Sequence, residues 1–404
     1  MQNTQTVEPA EELNVRCEHY RACGGCSHQH IPYEDQVREK AQKLTEILAE
    51  AGVDVKVTPD LVKTSEDPWR YRNKMEFTFG RSKEGEMVLG MHRKGSYWKI
   101  VHIEDCWLVP ERVNTLLKAV EAEANESGFP AYNPKSHHGF WRYLILRHSA
   151  HYDTVVACVI TEYGDQAHTD FVEAMAKRLQ DKFDWIRGFW WGVSGKVADV
   201  AIPDHLQHLG GPRDLVEKIG PFELRLHPTN FIQPNIRLAE VMYEDIKEFA
   251  ALTGGETVYD LYCGFGIIAM YLAQNAARVY GLEIDPFNVD LGRQNLERLG
   301  MEHVRLQCGK VEDWLKSGVP WDGLGEPDLL VLDPPRAGMH KSVIKFLKRH
   351  PPKRMIYVSC NPTSLARDLG ALLGPEVGYR MCGIQAYDMF PHTRHVETVV
   401  LLER

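Results

Sequence analysis

Thr257-Val258-Tyr259-Asp260-Leu261-Tyr262-Cys263-Gly264-Phe265-Gly266 is the stretch on which the architecture turns. Its first six residues are mostly β-branched, aromatic or apolar and read as a buried strand. Cys263 to Gly266 is a glycine turn, residues 267–274 form an apolar helix, and residues 277–284 form a second strand with Glu283 and Asp285 at its end. This unit holds a nucleotide-like cofactor at the helix start, with an acid on the second strand reaching ribose hydroxyls. Glu283 lies 23 residues after Asp260, close to the spacing such units use. The pattern Asp-x-x-Cys-Gly-x-Gly lacks the third glycine of the dinucleotide fingerprint. Without a pyrophosphate to cradle, it fits S-adenosylmethionine.

Moving toward the C-terminus, Leu329-Leu330-Val331-Leu332 is another apolar strand, running into Asp333-Pro334-Pro335-Arg336. The two prolines lock φ and remove two amide donors, fixing the Asp333 carboxylate at a strand tip. Residues 355–358 are a further strand, which stops at Ser359-Cys360-Asn361-Pro362. Ligands bind outside the carboxyl ends of the strands in an open α/β sheet, so Cys360 belongs to the crevice that Glu283 and Asp333 share. A lone cysteine more often packs as a small apolar residue. The two acids beside it shift the reading toward a nucleophile. The last segment, Asp388-Met389-Phe390-Pro391-His392-Thr393-Arg394-His395-Val396-Glu397, is a polar loop entering a closing strand. Burial of Glu397 at that junction raises its pKa toward a value useful for proton transfer.

Upstream, Asn230-Phe231-Ile232-Gln233-Pro234-Asn235 leads into a helix over 236–252, which Gly254-Gly255 terminates. The N-terminal half differs in character. Cys17, Cys23 and Cys26 are spaced C-x5-C-x2-C around Gly24 and Gly25, which lets three sulfurs turn toward one point, and Cys106 is a fourth candidate. Four thiolates suit tetrahedral zinc or an iron–sulfur cluster, with His19, His28 and His30 as substitute zinc ligands. Residues 33–51 carry Val37, Ala41, Leu44, Ile47 and Leu48 at helical spacing,. A strand is expected from Trp69 to Phe79. Residues 69–100 hold eight Lys/Arg against three Glu, and residues 135–151 add three Lys/Arg, four His and no acid. Aromatics interleave with these charges, as in surfaces that contact phosphates and stack unpaired bases. A solvated sheet face is the equal alternative. Residues 155–161 read as a strand.

The chain has 404 residues, 44% hydrophobic and 25% charged, the composition of a soluble globular protein of two or three domains,. Its net charge of −9 argues against a generic polyanion binder, and nine cysteines in such a chain point to metal or catalysis over a disulfide framework,. Residues 1–14 are polar and acidic with no apolar core for a signal peptide, and no run is long enough to span a membrane,. A cytoplasmic protein is expected, with a mixed α/β region over 1–225 and a Rossmann-like α/β domain over 226–404.

Taken together, Cys-Gly-Gly-Cys, Asn-Phe-Ile-Gln-Pro-Asn, Asp-Pro-Pro-Arg, Ser-Cys-Asn-Pro and Asp-Met-Phe-Pro-His-Thr-x-His-Val-Glu resemble the S-adenosylmethionine-dependent RNA 5-methyluridine methyltransferases. The resemblance covers nearly the whole chain from Cys17 onward. It implies a class I methyltransferase domain, with Cys360 as nucleophile and Glu397 as general base. Gln233, Tyr262 and Glu283 fall on cofactor-binding positions, with Gly264 in the turn beneath and Asp333 near both cofactor and target base. It makes Cys17, Cys23, Cys26 and Cys106 ligands of a [4Fe-4S] cluster, which points to the 23S rRNA enzymes over the transfer-RNA ones. Two positions depart: Ile267 and Lys310 stand where relatives often have cofactor-contacting Asn. Only sixteen residues precede Cys17, so the β-barrel module that many members carry ahead of the cluster is expected to be absent. The expected partner is RNA, acted on by a monomer. A non-catalytic RNA-binding or folding factor is the reading from another class.

Overall fold

The computed structural model describes residues 15–82, 85–96, 98–316 and 326–404. The expectations for residues 1–14, and for Lys83 and Glu84 within the basic stretch, lie outside them.

Two sheets organise the described residues. Along the first, eight strands follow the order Val62–Lys63, Arg380–Tyr387, Glu397–Glu403, Arg354–Ser359, Leu329–Leu332, Thr257–Leu261, Arg278–Glu283, Val304–Cys308. The five from Arg354–Ser359 to Val304–Cys308 are parallel, and Glu397–Glu403 runs antiparallel between its two neighbours. The chain proceeds outward from Thr257–Leu261 and then returns to lay Leu329–Leu332 on its other side. That reversal of strand order opens a crevice at the carboxyl ends, where α/β sheets hold their ligands. Thr257–Leu261, Leu329–Leu332 and Arg354–Ser359 are buried almost throughout, as continuous apolar runs covered on both faces require.

One face packs against the helices Ile236–Ala250, Ile267–Ala273 and Pro286–Arg298. The other packs against Tyr33–Glu50, Lys341–Arg349 and Pro362–Leu372. The predicted N-terminal helix therefore forms, and its stripe of Val37, Ala41, Leu44 and Leu48 belongs to the core of the C-terminal sheet. Val62–Lys63 then adds to that sheet's edge, parallel to Arg380–Tyr387.

The second sheet has seven strands, in the order Ile100–His102, Met87–His92, Lys74–Arg81, Trp141–Ser149, Thr154–Thr161, Ile186–Val193, His205–Gly210. Helices Glu111–Glu126 and Gln166–Lys182 cover one face. Tyr143, Ile145, Val156 and Ile160 on the other face join the core of the first sheet through the hairpin of Leu215–Ile219 and Phe222–Leu226. The strand expected from Trp69 begins only at Lys74. Arg70 sits at φ 53° and its guanidinium is held by Asp105 and the carbonyls of Cys106 and Val109, which turns the chain away from the ladder. The helix expected to run to Leu252 stops at Ala250, because Ala251 itself takes the left-handed cap at φ 41°. Among the described residues no helix is long and apolar enough to cross a membrane.

A buried ion pair ties the N-terminal helix to the C-terminal loop. Lys40 Nζ donates to Asp388 at 2.5 Å and to the Phe390 carbonyl at 3.2 Å, with both side chains almost fully buried. Removing one partner of such a pair strands a charge in a low dielectric. Lys40→Met is therefore expected to destabilise the fold by about 3 kcal/mol, read as a lower urea midpoint.

Candidate active site

The strand Thr257–Leu261 delivers Asp260 to the crevice as a fully buried carboxyl group, with the Ala269 N–H acting on it. Burial, with Asp333 and Glu283 nearby, holds its pKa well above the carboxylate range. The chain then winds through left-handed residues, Tyr262 at φ 64°, Gly264 at 57° and Gly266 at 89°. A Cβ on Gly264 would meet nothing within 4 Å, so that backbone faces open space. The Gly264 N–H donates to one Glu283 oxygen at 3.0 Å and the Asp285 N–H to the other at 2.8 Å, which fixes the carboxylate at the strand end. Tyr262 reaches sideways and donates its hydroxyl to Glu312 at 3.1 Å. Ile267 opens its helix as a buried apolar residue, and Lys310 precedes the helix Val311–Lys316. Gln233 is buried, and its carbonyl accepts the Asn73 side-chain amide at 2.9 Å, so the second sheet clamps the 230–235 segment.

Cys360 follows directly on the strand Arg354–Ser359. Ser359 pairs with Thr398 at the end of the antiparallel ladder, Cys360 and Glu397 are the next residues along the two chains, and the Glu397 charge acts on the thiol. The thiol is half-buried and pushed up to about 11 by burial, then by the charges of Glu397 and Asp333. Glu397 is 2% exposed and held well above the carboxylate range by burial and by Asp333. Asp333 is pushed up to about 7 by burial and Glu283. A thiol and several carboxyls sharing one crevice favour a cationic ligand, because its charge would stabilise their ionised forms. Arg336 is the cation that lowers both Cys360 and Glu397. Its guanidinium donates to His395 at 3.1 Å, and its carbonyl accepts from the Asn361 side chain at 2.8 Å and the Ser364 hydroxyl at 3.2 Å. These bonds lock the Asp-Pro-Pro-Arg turn to the Ser-Cys-Asn-Pro turn. Asp260, Arg336 and His395 were missed in the sequence reading, although all three lie inside the motifs that flagged their neighbours.

Cys17, Cys23, Cys26 and Cys106 are free thiols that line one small pocket with Met75, Met91 and Leu108. Burial pushes Cys26 up to about 12 and Cys106 to about 11. Among the described residues no group of three or more His, Cys, Asp or Glu is arranged to hold a metal ion. The histidines weighed as substitute ligands have other partners: His19 the Glu104 N–H, His28 the Ser27 hydroxyl, His30 the Tyr20 hydroxyl. The four sulfurs share that pocket with His19, and in chemical type four thiolates would suit an iron–sulfur cluster,. The same loop touches the Glu397 loop. The N–H groups of Ser27 and His28 both donate to the His392 carbonyl, at 2.9 and 3.0 Å, and Trp69 stacks on the His392 ring with centroids 3.8 Å apart.

The profile of the tRNA (uracil-5-)-methyltransferase family matches residues 221–404. The chain is 34% identical to an uncharacterized RNA methyltransferase of Nitratidesulfovibrio vulgaris, over 97% of its own length and 83% of the relative's. It is equally similar, at 34%, to an uncharacterized RNA methyltransferase of Bacillus cereus, over 98% of this chain and 85% of that one. Among solved structures, the Pyrococcus abyssi tRNA (uracil-54, C5)-methyltransferase in complex with S-adenosyl-L-homocysteine matches with a TM-score of 0.74 at 28% identity. That match covers 94% of this chain and 86% of the other.

Proposed function

The chain belongs to the RNA uracil-C5 methyltransferase family, and we propose that it methylates C5 of a specific uridine in RNA through a covalent Cys360–uracil adduct. The observation that carries this reading is that Cys360 and Glu397 follow directly on the last ladder pair, Ser359 with Thr398, with the Glu397 and Asp333 charges acting on the thiol and Glu283 acting on Asp333. C5 of uracil is too weak a nucleophile to take a methyl group unaided. Addition of the Cys360 thiolate to C6 turns C5 into the carbon of an enolate, splitting one hard step into easier ones. S-adenosylmethionine, when bound, supplies the methyl group as an electrophile. Gln233, Tyr262, Gly264, Glu283 and Asp333 are the residues to hold it, and the acid-rich crevice suits its positive charge. Glu397 then takes the proton from C5, and the sulfur leaves C6 by elimination. The uridine must be presented out of its stack, as for other enzymes that act on a base.

Residues 226–404 carry this chemistry in the proposal, and residues 1–225 carry RNA contacts and a [4Fe-4S] cluster on Cys17, Cys23, Cys26 and Cys106. The cluster is supported by four free thiols around one pocket. The expected result for anaerobically purified protein is about four iron and four sulfide per chain. Stoichiometric zinc without sulfide would replace the cluster with a zinc site. The resemblance of the four-cysteine pattern to that of the 23S rRNA enzymes favours 23S rRNA as the substrate in this reading, with the protein acting as a cytoplasmic monomer. The Pyrococcus abyssi match supports transfer RNA as the second reading. Mapping 5-methyluridine across total RNA from cells with and without the protein separates the two. Loss of one 23S rRNA site is the expected outcome. Loss confined to the transfer-RNA T-loop would select the alternative, and no change in any RNA would defeat both.

A further inference from the structure

A second basin opens on the seven-stranded sheet, apart from the Cys360 crevice. Its volume of about 670 Å³ is in the range of small-ligand pockets,. Its lining is one-sided in charge. Among the described residues Arg81, Arg93, Lys99, Lys135 and Arg142 face it, against Asp199 as the acid. Asp199 is already engaged, taking the Tyr143 hydroxyl at 2.5 Å with His92 at 3.5 Å. The walls are aromatic as well as basic. Trp98 is 43% exposed, with the ammonium groups of Lys135 and Lys99 at 3.5 and 4.7 Å from its ring. The Arg142 guanidinium lies 4.1 Å from the Tyr132 ring. Arg142 is 1% exposed, anchored to the Ser194 and Lys196 carbonyls at 2.7 and 2.6 Å and paired with Glu162 at 3.3 Å, and its Nε has no partner. That arrangement holds the guanidinium rigidly at the basin's edge.

Cations alone would suit any anion. An exposed ring beside them suits an anion that also carries a flat π-face, which describes an unpaired nucleotide: phosphate to the lysines and arginines, base onto the ring,. The strands that line the basin also hold the 230–235 segment. Lys74–Arg81 and Trp141–Ser149 run from that segment, where Asn73 holds the Gln233 carbonyl and Arg147 the Asn230 carbonyl, to the basin, where Thr78, Arg81 and Arg142 line it. Four to seven residues at ~3.3 Å each make that span about 13–23 Å. The basin is also joined to the cysteine loop, since Gly24 N–H donates to the His92 carbonyl and Lys94 N–H to the Ala22 carbonyl.

We propose that this basin binds an unpaired nucleotide of the RNA substrate outside the target position, its base stacked on Trp98 and its phosphates on Lys99, Lys135 and Arg81. The inference rests on RNA being the substrate. Trp98→Ala and Lys135→Glu test it, since both side chains are exposed and neither belongs to the catalytic crevice. The probe is bulk RNA from cells lacking the protein, with transfer of labelled methyl from S-adenosylmethionine as the readout. Each variant is expected to raise KM for RNA by about tenfold, the scale of one lost base stack, with kcat and calorimetric affinity for S-adenosylhomocysteine unchanged. Lys135→Glu is also expected to flatten the salt dependence of KM, as one phosphate contact is lost. An active wild type matched within twofold by both variants overturns the basin alone. A wild type that methylates no RNA overturns the substrate reading, and the basin with it.

Discussion

Cys360→Ala is expected to reduce methyl incorporation into RNA by about four orders of magnitude or more, while S-adenosylhomocysteine still binds as it does to the wild type. The asymmetry follows from where the thiol stands. It is at the tip of Arg354–Ser359, under the charge of Glu397, whereas the cofactor elements Gly264 and Glu283 are bonded to each other one side of the switch point away. Removing a half-buried sulfur leaves those bonds untouched. The environment adds a pH signature. With the thiol pushed up to about 11, the thiolate is scarce at pH 7, about one part in ten thousand,. A raised thiol pKa leaves the inactive, protonated form dominant well past neutrality, so kcat/KM is expected to climb with pH between 7 and 9. A cationic ligand in the crevice opposes the same carboxylates that raise the thiol, so the climb should be shallower in kcat. Substantial turnover by Cys360→Ala would remove the covalent mechanism, whatever the pH profile.

Much of this site was legible before the fold was known, and the reason is local. Parallel strands buried on both faces announce themselves as apolar runs, and each here ends in a residue that cannot continue it: Gly264 after Thr257–Leu261, Pro334 after Leu329–Leu332, Pro362 shortly after Arg354–Ser359. A strand end in such a sheet is a ligand-facing position, so Glu283, Asp333 and Cys360 could be assigned to one crevice without coordinates. Register was not legible. That Cys360 and Glu397 come together depends on the pairing of Ser359 with Thr398, a property of two strands and of neither alone,. Long-range packing was equally hidden: the amphipathic stripe of Tyr33–Glu50 marked a helix but carried no address, and it docks on the sheet of the distant C-terminal half. The segment from Trp69 to Asn73 alternates like a strand. Its conformation is decided instead by Arg70 reaching Asp105 and by Asn73 reaching Gln233.

Glu397→Gln is expected to leave addition intact and to trap the enzyme on its RNA, visible as a slow-migrating RNA–protein band that survives denaturation. Glutamine matches glutamate in shape and carries no charge. Burial and Asp333 push the Glu397 pKa well above the carboxylate range, toward the protonated form that glutamine resembles. The substitution therefore copies the resting site closely, and Cys360 is free to add to the base. What the amide cannot do is accept the C5 proton, and without that loss the sulfur cannot leave. A stability measurement separates this from general damage. A carboxyl whose folded pKa is raised weakens the folded state as pH climbs from its unfolded value toward its folded one, because the unfolded chain ionises first. Glutamine removes that penalty. The variant is expected to melt no lower than the wild type at pH 7.5, and the gap to close below about pH 3.5, where the glutamate is largely protonated in both states. A variant that melts normally, shows no adduct and turns over at the wild-type rate would move the base elsewhere in the crevice, with Asp333 the nearest alternative. A variant that melts normally, accumulates adduct and releases no product identifies Glu397 as the group that ends the covalent phase.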